Sequence, residues 1–276
     1  MKMKMIDVAG VETRCIMAGD PAAPALFLLH GLALTGDVWV RNIDELARTH
    51  RVIVPDMLGH GFTRPPASAV VDIPAKLAHL KGLADALGIE RAALCGSSYG
   101  ALIGALFFLA NRDRVGQLVI NGSGSCFNTE QQLVEQVKRL HALYAPTLAD
   151  STPEMWRDRI ANNFFDAAKV PAELPSIAAL CYAYPWAAER WAETMATIGD
   201  ADRFRPFRIL ERLEEITIPT LVVWGRDDRG GSLESATVAV SRMPDARLVA
   251  FDSCGHYPMI EHPVEYNRLV GDFLAR

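Results

Sequence analysis

Residues 92–110 constrain the fold more than any other stretch of this chain. Ala92-Ala93-Leu94-Cys95 is a short apolar run, Ala101 to Ala110 is rich in Ala and Leu, and Gly96-Ser97-Ser98-Tyr99-Gly100 between them fits G-x-S-x-G. A buried strand that turns this sharply into a helix forces the central residue into strained backbone geometry, and small neighbours let the chain pass closely. Ser98 at the apex is therefore a candidate nucleophile, and the rest of the chain must supply a base, an acid and an oxyanion hole.

The first half repeats the same alternation. Ala25 to Leu29 reads as a strand ending at His30-Gly31, Arg51 to Val54 as a second ending at Pro55-Asp56, and Ala92 to Cys95 and Leu118 to Asn121 as two more. Helix-like stretches lie between them, at Trp39 to Arg48, Ile73 to Leu87 and Ala101 to Asn111. Strands separated by helices of this length predict βαβ units and a parallel sheet. Met5 to Val8 and Glu12 to Met17, around Ala9-Gly10, predict an antiparallel hairpin on its edge. From Cys126 to Glu215 the β-branched runs vanish and aromatics and prolines multiply, which predicts a helical insertion. Alternation resumes with Thr220 to Trp224 and Arg247 to Phe251, and a last helix is expected from Val264 to Leu274. The insertion follows the strand after the Ser98 helix, so it can fold as a lid over the carboxyl ends of the strands, where open α/β sheets bind ligands.

Composition excludes several classes. The 276 residues carry a net charge of −5 and no Lys/Arg-rich run, which argues against a nucleic-acid partner. No apolar stretch approaches about 18 residues, so no membrane span is expected. No apolar signal segment follows Met1-Lys2-Met3-Lys4-Met5. The five cysteines are scattered without C-x-x-C spacing, which suits reduced thiols in the cytoplasm better than disulfides or a zinc site. No metal or other cofactor is expected, since no His/Asp pair has a spacing such as H-x-x-x-H. The expected partner is a small-molecule substrate, and homo-oligomerisation stays open.

A serine hydroxyl needs a base within hydrogen-bond reach. Of seven histidines, His30, His60 and His256 combine an adjacent glycine with a place at or beyond a strand end. His256 follows the last strand, and the chain order serine, aspartate, histidine is the one that strand–turn–helix serine sites use. Asp227 and Asp228 end another strand. Adjacent residues point in different directions, so one of them is expected to face His256, and Asp228 is favoured. Backbone N–H groups of Tyr99 and of Leu32, in His30-Gly31-Leu32, would form the oxyanion hole.

Together, His30-Gly31-Leu32, Asp56 to Thr63, the Ser98 turn, Trp224-Gly225-Arg226-Asp227-Asp228 and Cys254-Gly255-His256 resemble the α/β-hydrolase fold over nearly the whole chain. The resemblance implies an α/β fold with a mostly parallel, doubly wound eight-stranded sheet and a helical cap inserted after the sixth strand. It puts residues 1–125 and 216–276 in the core and 126–215 in the cap, and it places the acid on Asp228. The ending Cys254 to Pro263 with Tyr266-Asn267-Arg268-Leu269-Val270, and Asp56-Met57-Leu58-Gly59, look like the hydrolases that cleave ring-fission products of aromatics at a C–C bond beside a ketone. In that group a lid arginine holds the substrate carboxylate, and Arg190-Trp191 is the local match. Trp39, Trp186 and Trp191 are candidates to line an apolar pocket. Leu32-Ala33-Leu34-Thr35, Ser97 and Ala101 depart from the C–C hydrolases and are similar to esterases and lactonases. The sequence reading is therefore a serine hydrolase of a small apolar ester or lactone, with C–C hydrolysis as the alternative. A ligand receptor that keeps the triad without turnover is the rival from another class.

Overall fold

The structure, a computed structural model, describes residues 1–276 apart from the side chains of Pro146, Thr147 and Ala149. Eight strands form one sheet: β1 (Lys2–Val8), β2 (Val11–Ala18), β3 (Ala25–Leu29), β4 (Arg51–Pro55), β5 (Ala92–Ser97), β6 (Val115–Asn121), β7 (Thr220–Gly225) and β8 (Ala246–Phe251), in the order β1-β2-β4-β3-β5-β6-β7-β8. β2 pairs antiparallel with β1 and with β4, and every later pairing is parallel. The expected hairpin is thus the edge of a mostly parallel sheet. Strand order reverses between β3 and β5, and it is beyond the carboxyl ends at such a point that a ligand crevice opens.

The helices are α1 (Ile43–Leu46), α2 (Ile73–Ala86), α3 (Tyr99–Ala110), α4 (Gly124–Phe127), α5 (Glu130–Ala149), α6 (Pro153–Ala161), α7 (Glu173–Tyr182), α8 (Pro185–Ile198), α9 (Ala201–Phe204), α10 (Leu233–Val240), α11 (Pro258–Glu261) and α12 (Pro263–Leu274). They cover both faces because the buried strands alternate with period two. Phe27 and Leu29 of β3 pack with α2 and α3, while Leu26 and Leu28 pack with α1 and α12. α3 is buried from Tyr99 through Leu109, as its unbroken apolar sequence requires. Only glycine fits at 100, where a Cβ would stand 2.4 Å from the carbonyl oxygens of Leu29 and His30.

Between β6 and β7 the chain is helical, α4 to α9 with short 3-10 turns. These helices have their own apolar centre, in which Tyr144, Trp156, Ala178, Trp191 and Met195 meet Ala33 from the loop after β3. One local expectation changes. Trp39 to Arg48 is not one helix but a 3-10 turn, Gly36–Trp39, followed by α1. Asn42 between them turns its side-chain amide to Met259 O (2.9 Å) and Asn267 Oδ1 (2.7 Å), tying the break to α11 and α12.

Candidate active site

Ser98 stands where β5 becomes α3, with φ +53° and ψ −116°. A non-glycine residue in this region is strained and persists only when its surroundings over-determine it. Here Ser98 N donates to Asn121 O (2.8 Å), and Ser123 Oγ donates to Ser98 O (2.7 Å). The N–H of Tyr99 opens α3 and so has no partner within the helix. The positive end of the helix dipole lies at the same point, which favours negative charge beside Ser98.

His256 and Asp228 come together from the loops after β8 and β7. Nδ1 of His256 lies 2.9 Å from both Asp228 carboxylate oxygens, with the aspartate side chain fully buried. Burial by itself would lower the imidazole pKa, but the Asp228 charge and hydrogen bond outweigh it and hold it above 6.5. The loops leave no slack. His256 N donates to Asn163 O (2.7 Å), Gly255 N to Glu261 Oε1 (2.9 Å), and Gly230 N to Asp228 Oδ1 (2.6 Å). Gly122 has φ +49°, and a Cβ there would lie 2.9 Å from Asp228 Oδ2, so glycine is required on both counts. With Nδ1 engaged, Nε2 is the nitrogen left for Ser98. Ser98 and His256 line one cavity, and among the described residues no hydrogen bond joins them in this state. Catalytic hydrogen bonds are often open until substrate arrives.

The other two candidate histidines are accounted for otherwise. Nε2 of His30 accepts from Met57 N (3.0 Å), which leaves Nδ1–H to donate to Gly31 O (2.8 Å), and burial keeps this ring neutral by lowering its pKa. Burial, with the nearby Lys76 charge, pushes His60 well below 6.5, and its Nδ1 bonds Leu58 O (3.2 Å). Asp56 binds Arg14 and the N–H groups of Gly36 (2.8 Å) and Phe62 (2.9 Å), fastening loops rather than orienting a base. Asp227 is exposed.

The cavity over Ser98 is small, about 40 Å³, and its wall is built by Gly31, Leu32 and Ala33 below and by Leu140, Tyr144, Trp191 and Met195 above. Leu32 and Trp191 of the expected site residues thus line this cavity. Three other candidates do not. Trp39 is wholly buried against Tyr266, with ring centroids 6.4 Å apart, in the core between the sheet and α12. Trp186 stacks on Tyr184 at 6.2 Å, away from the cavity. Arg190 donates to Ala67 O (2.8 Å), Ala69 O (3.1 Å) and Glu193 (3.0 Å), fastening α8 to the loop before α2. The reason is helical geometry: neighbours on a helix project about 100° apart, so the face carrying Trp191 and Met195 (i, i+4) turns Trp186 and Arg190 aside. Gln136, Arg139, Leu140 and Tyr144 of α5 do reach the cavity. Their i, i+3, i+4, i+8 spacing marks one helix face, a signal that a search centred on glycine-flanked strand ends passes over.

The profile of the family described as “alpha/beta hydrolase fold” matches residues 24–263. This chain belongs to the α/β-hydrolase family. Within the family, it is 31% identical to the 2-hydroxymuconate semialdehyde hydrolase of Pseudomonas sp. (strain CF600), over 98% of this chain and 93% of the relative. It is 34% identical to the 2-hydroxy-6-oxononadienedioate/2-hydroxy-6-oxononatrienedioate hydrolase of Paraburkholderia xenovorans (strain LB400), over 92% of this chain and 87% of that one. The meta-cleavage product hydrolase CumD of Pseudomonas fluorescens IP01, solved as a variant with acetates, superposes with a TM-score of 0.80 at 27% identity, covering 99% of this chain and 97% of CumD. The chain is thus a hydrolase of the α/β fold whose relatives are named as hydrolases of 2-hydroxymuconate semialdehyde, of 2-hydroxy-6-oxo-dienedioates and of meta-cleavage products. Among the described residues, no helix is long and apolar enough to cross a membrane.

Proposed function

We propose that this chain hydrolyses the C–C bond beside the ketone of a 2-hydroxy-6-oxo-dienoate, the product type of aromatic ring fission, with Ser98, His256 and Asp228 as the triad. The observation that carries the reading is the shared naming of relatives that are 31–34% identical over 92–98% of the chain. The expectation of ester or lactone cleavage rested partly on Ser97 and Ala101. Both are fully buried behind Ser98, at the end of β5 and inside α3, and neither reaches the cavity wall. Their departure from the C–C hydrolases therefore carries little weight for what the cavity accepts, and the alternative becomes the better reading.

The residues suit the reaction. His256 takes the Ser98 proton while Oγ adds to the ketone carbon, and the resulting oxyanion lies against the N–H groups of Tyr99 and Leu32. The bond breaks from the 2-oxo tautomer, in which the enol proton has moved to the carbon to be released, so that collapse passes the C–C electron pair into the conjugated 2-oxo-enoate as a dienolate. The His256 imidazolium returns the proton to the dienolate oxygen, giving the 2-hydroxy-dienoate. Water, deprotonated by His256, then cleaves the acyl ester, so one water is consumed and a carboxylic acid and a 2-hydroxy-dienoate leave. Asp228 keeps the proton on Nδ1 and stabilises the imidazolium.

A direct test offers the purified enzyme a 2-hydroxy-6-oxo-dienoate and a short-chain nitrophenyl ester in parallel. The expected result is kcat/KM at least about 100-fold higher for the dienoate, a difference of roughly 2.7 kcal/mol in transition-state stabilisation. Preference for the ester would return the assignment to an esterase.

A further inference from the structure

Between α6 and the 3-10 turn Ala167–Lys169, residues 163–165 of the helical segment lie directly against the loop that carries His256. His256 N donates to Asn163 O (2.7 Å), and the rings of Phe164 and Tyr257 have centroids 5.1 Å apart. The approach is so close that a Cβ at Gly255 would lie 2.4 Å from Asn163 O and 2.8 Å from Phe165 N. One side chain spans this seam. Glu261, at the end of α11 and 4% exposed, accepts from Gly255 N at Oε1 (2.9 Å) and from Phe165 N at Oε2 (2.8 Å). One oxygen thus holds the residue before His256, and the other holds the helical segment.

A carboxylate that accepts at both oxygens from N–H groups of two separate segments is a bridge, and only a side chain with an acceptor at each end can replace it. Burial pushes the Glu261 pKa up, and the N–H groups of Phe165, Gly255, Tyr257 and Asp166 pull against it. Lys169 Nζ donates to the backbone oxygen of Glu261 (2.9 Å), a second tie from the helical segment that does not involve the carboxylate. The Glu261 charge reaches the imidazole. Together with Asp228 it favours the protonated form of His256, against burial and the Arg139 charge from α5. Tyr144 of α5 and Tyr257 and Cys254 of the loop itself also stand around His256, and burial holds all three neutral.

We infer that Glu261 is a positioning residue for His256: its carboxylate locks the catalytic loop and residues 163–165 into one register, so that the imidazole is aimed at Ser98 only while the helical segment is seated. The inference rests on the proposed function only in taking His256 as the base. Glu261→Gln, Glu261→Asp and Lys169→Gln are compared with wild type in three measurements. These are NMR titration of the His256 ring without substrate, kcat and KM for a 2-hydroxy-6-oxo-dienoate and for nitrophenyl butyrate, and the denaturation midpoint. In Glu261→Gln the amide turns an N–H toward an N–H donor and loses one end of the bridge, so kcat should fall about 10- to 100-fold on both substrates, with KM within about threefold. The His256 titration should move to lower pH, because a negative charge has left its surroundings. Glu261→Asp keeps the charge but is one methylene shorter, so it should keep the titration and recover only part of kcat. Lys169→Gln should lower the denaturation midpoint and leave the titration and kcat unchanged. Wild-type kcat in Glu261→Gln, or a lower kcat with an unmoved His256 titration, would overturn the inference, as would Lys169→Gln moving the titration equally. Where Glu261→Gln does not fold, Glu261→Asp decides: a lower kcat supports the bridge and wild-type kcat overturns it. If the wild type leaves the dienoate intact, the proposed function fails, and the titration and the nitrophenyl ester still decide the role of Glu261.

Discussion

The loops at the carboxyl ends of the strands and the helical segment above them face the same cavity but are built by different rules. In the loops, polar side chains are fixed by backbone groups, several of them distant in sequence. His30 is held by Met57 and Gly31, Asp56 by Gly36 and Phe62, Asp228 by Gly230, and Glu261 by Gly255 and Phe165. In the helical segment, position is set by packing of helix faces around Trp156, Trp191 and Met195. The loops thus hold their polar groups by hydrogen bonds and the helical segment holds its faces by packing, and the His256 N to Asn163 O bond (2.7 Å) ties the two together.

The sharpest way to break this contrast is at the acid. Asp228→Asn should lower kcat by about 10³- to 10⁴-fold with the fold intact, because the wrong imidazole tautomer is then favoured. The pH profile gives the sign. The base form of His256 must be neutral, and its pKa is held above 6.5 by Asp228 against burial, so wild-type kcat/KM should fall as pH drops through a value above 6.5. Removing the carboxylate leaves burial unopposed, and the limb of the residual activity should move to lower pH. A limb that stays in place would mean that another group titrates.

Asp56→Ala tests the loops for stability rather than chemistry. It removes the fully buried one of the two carboxylates that hold Arg14, leaving Asp37, and orphans the Gly36 and Phe62 N–H groups, and chemical denaturation should register a loss of about 3 kcal/mol. An unchanged midpoint would show that these loops are less rigid than their hydrogen bonds imply. Gly230→Val has a comparable effect on rate. A Cβ there would lie 2.7 Å from the His256 ring, and displacing the imidazole should cost about 100-fold in kcat. Arg190→Gln is the smallest, about 1–2 kcal/mol of stability from the lost ties to Ala67 and Ala69. A larger effect on turnover than on stability would return Arg190 to the site.

What could be read in the sequence follows the same division. Ser98, Asp228 and His256 stand out because strand ends, glycines and chain order are one-dimensional signals, and the strands themselves begin and end within a few residues of expectation. Arg190 and Trp186 were misplaced because a helix puts residues 190 and 191 on different faces, and the phase of α8 is fixed only by what it packs on. Trp39 was misplaced because Asn42 redirects the chain through contacts more than 200 positions away, at Met259 and Asn267. Arg139, Gln136 and Tyr144 carry a readable helical period, but no local feature says that this face closes over Ser98.

The most direct test of the triad and its reaction is a single experiment in ¹⁸O-labelled water. Wild type and Ser98→Ala are each incubated with a 2-hydroxy-6-oxo-dienoate, and the fragments are weighed by mass spectrometry. The wild type should release a labelled carboxylic acid and an unlabelled-skeleton 2-hydroxy-dienoate, and Ser98→Ala should release neither at more than about a thousandth of that rate. An intact dienoate with wild type, or equal cleavage by Ser98→Ala, would contradict the account.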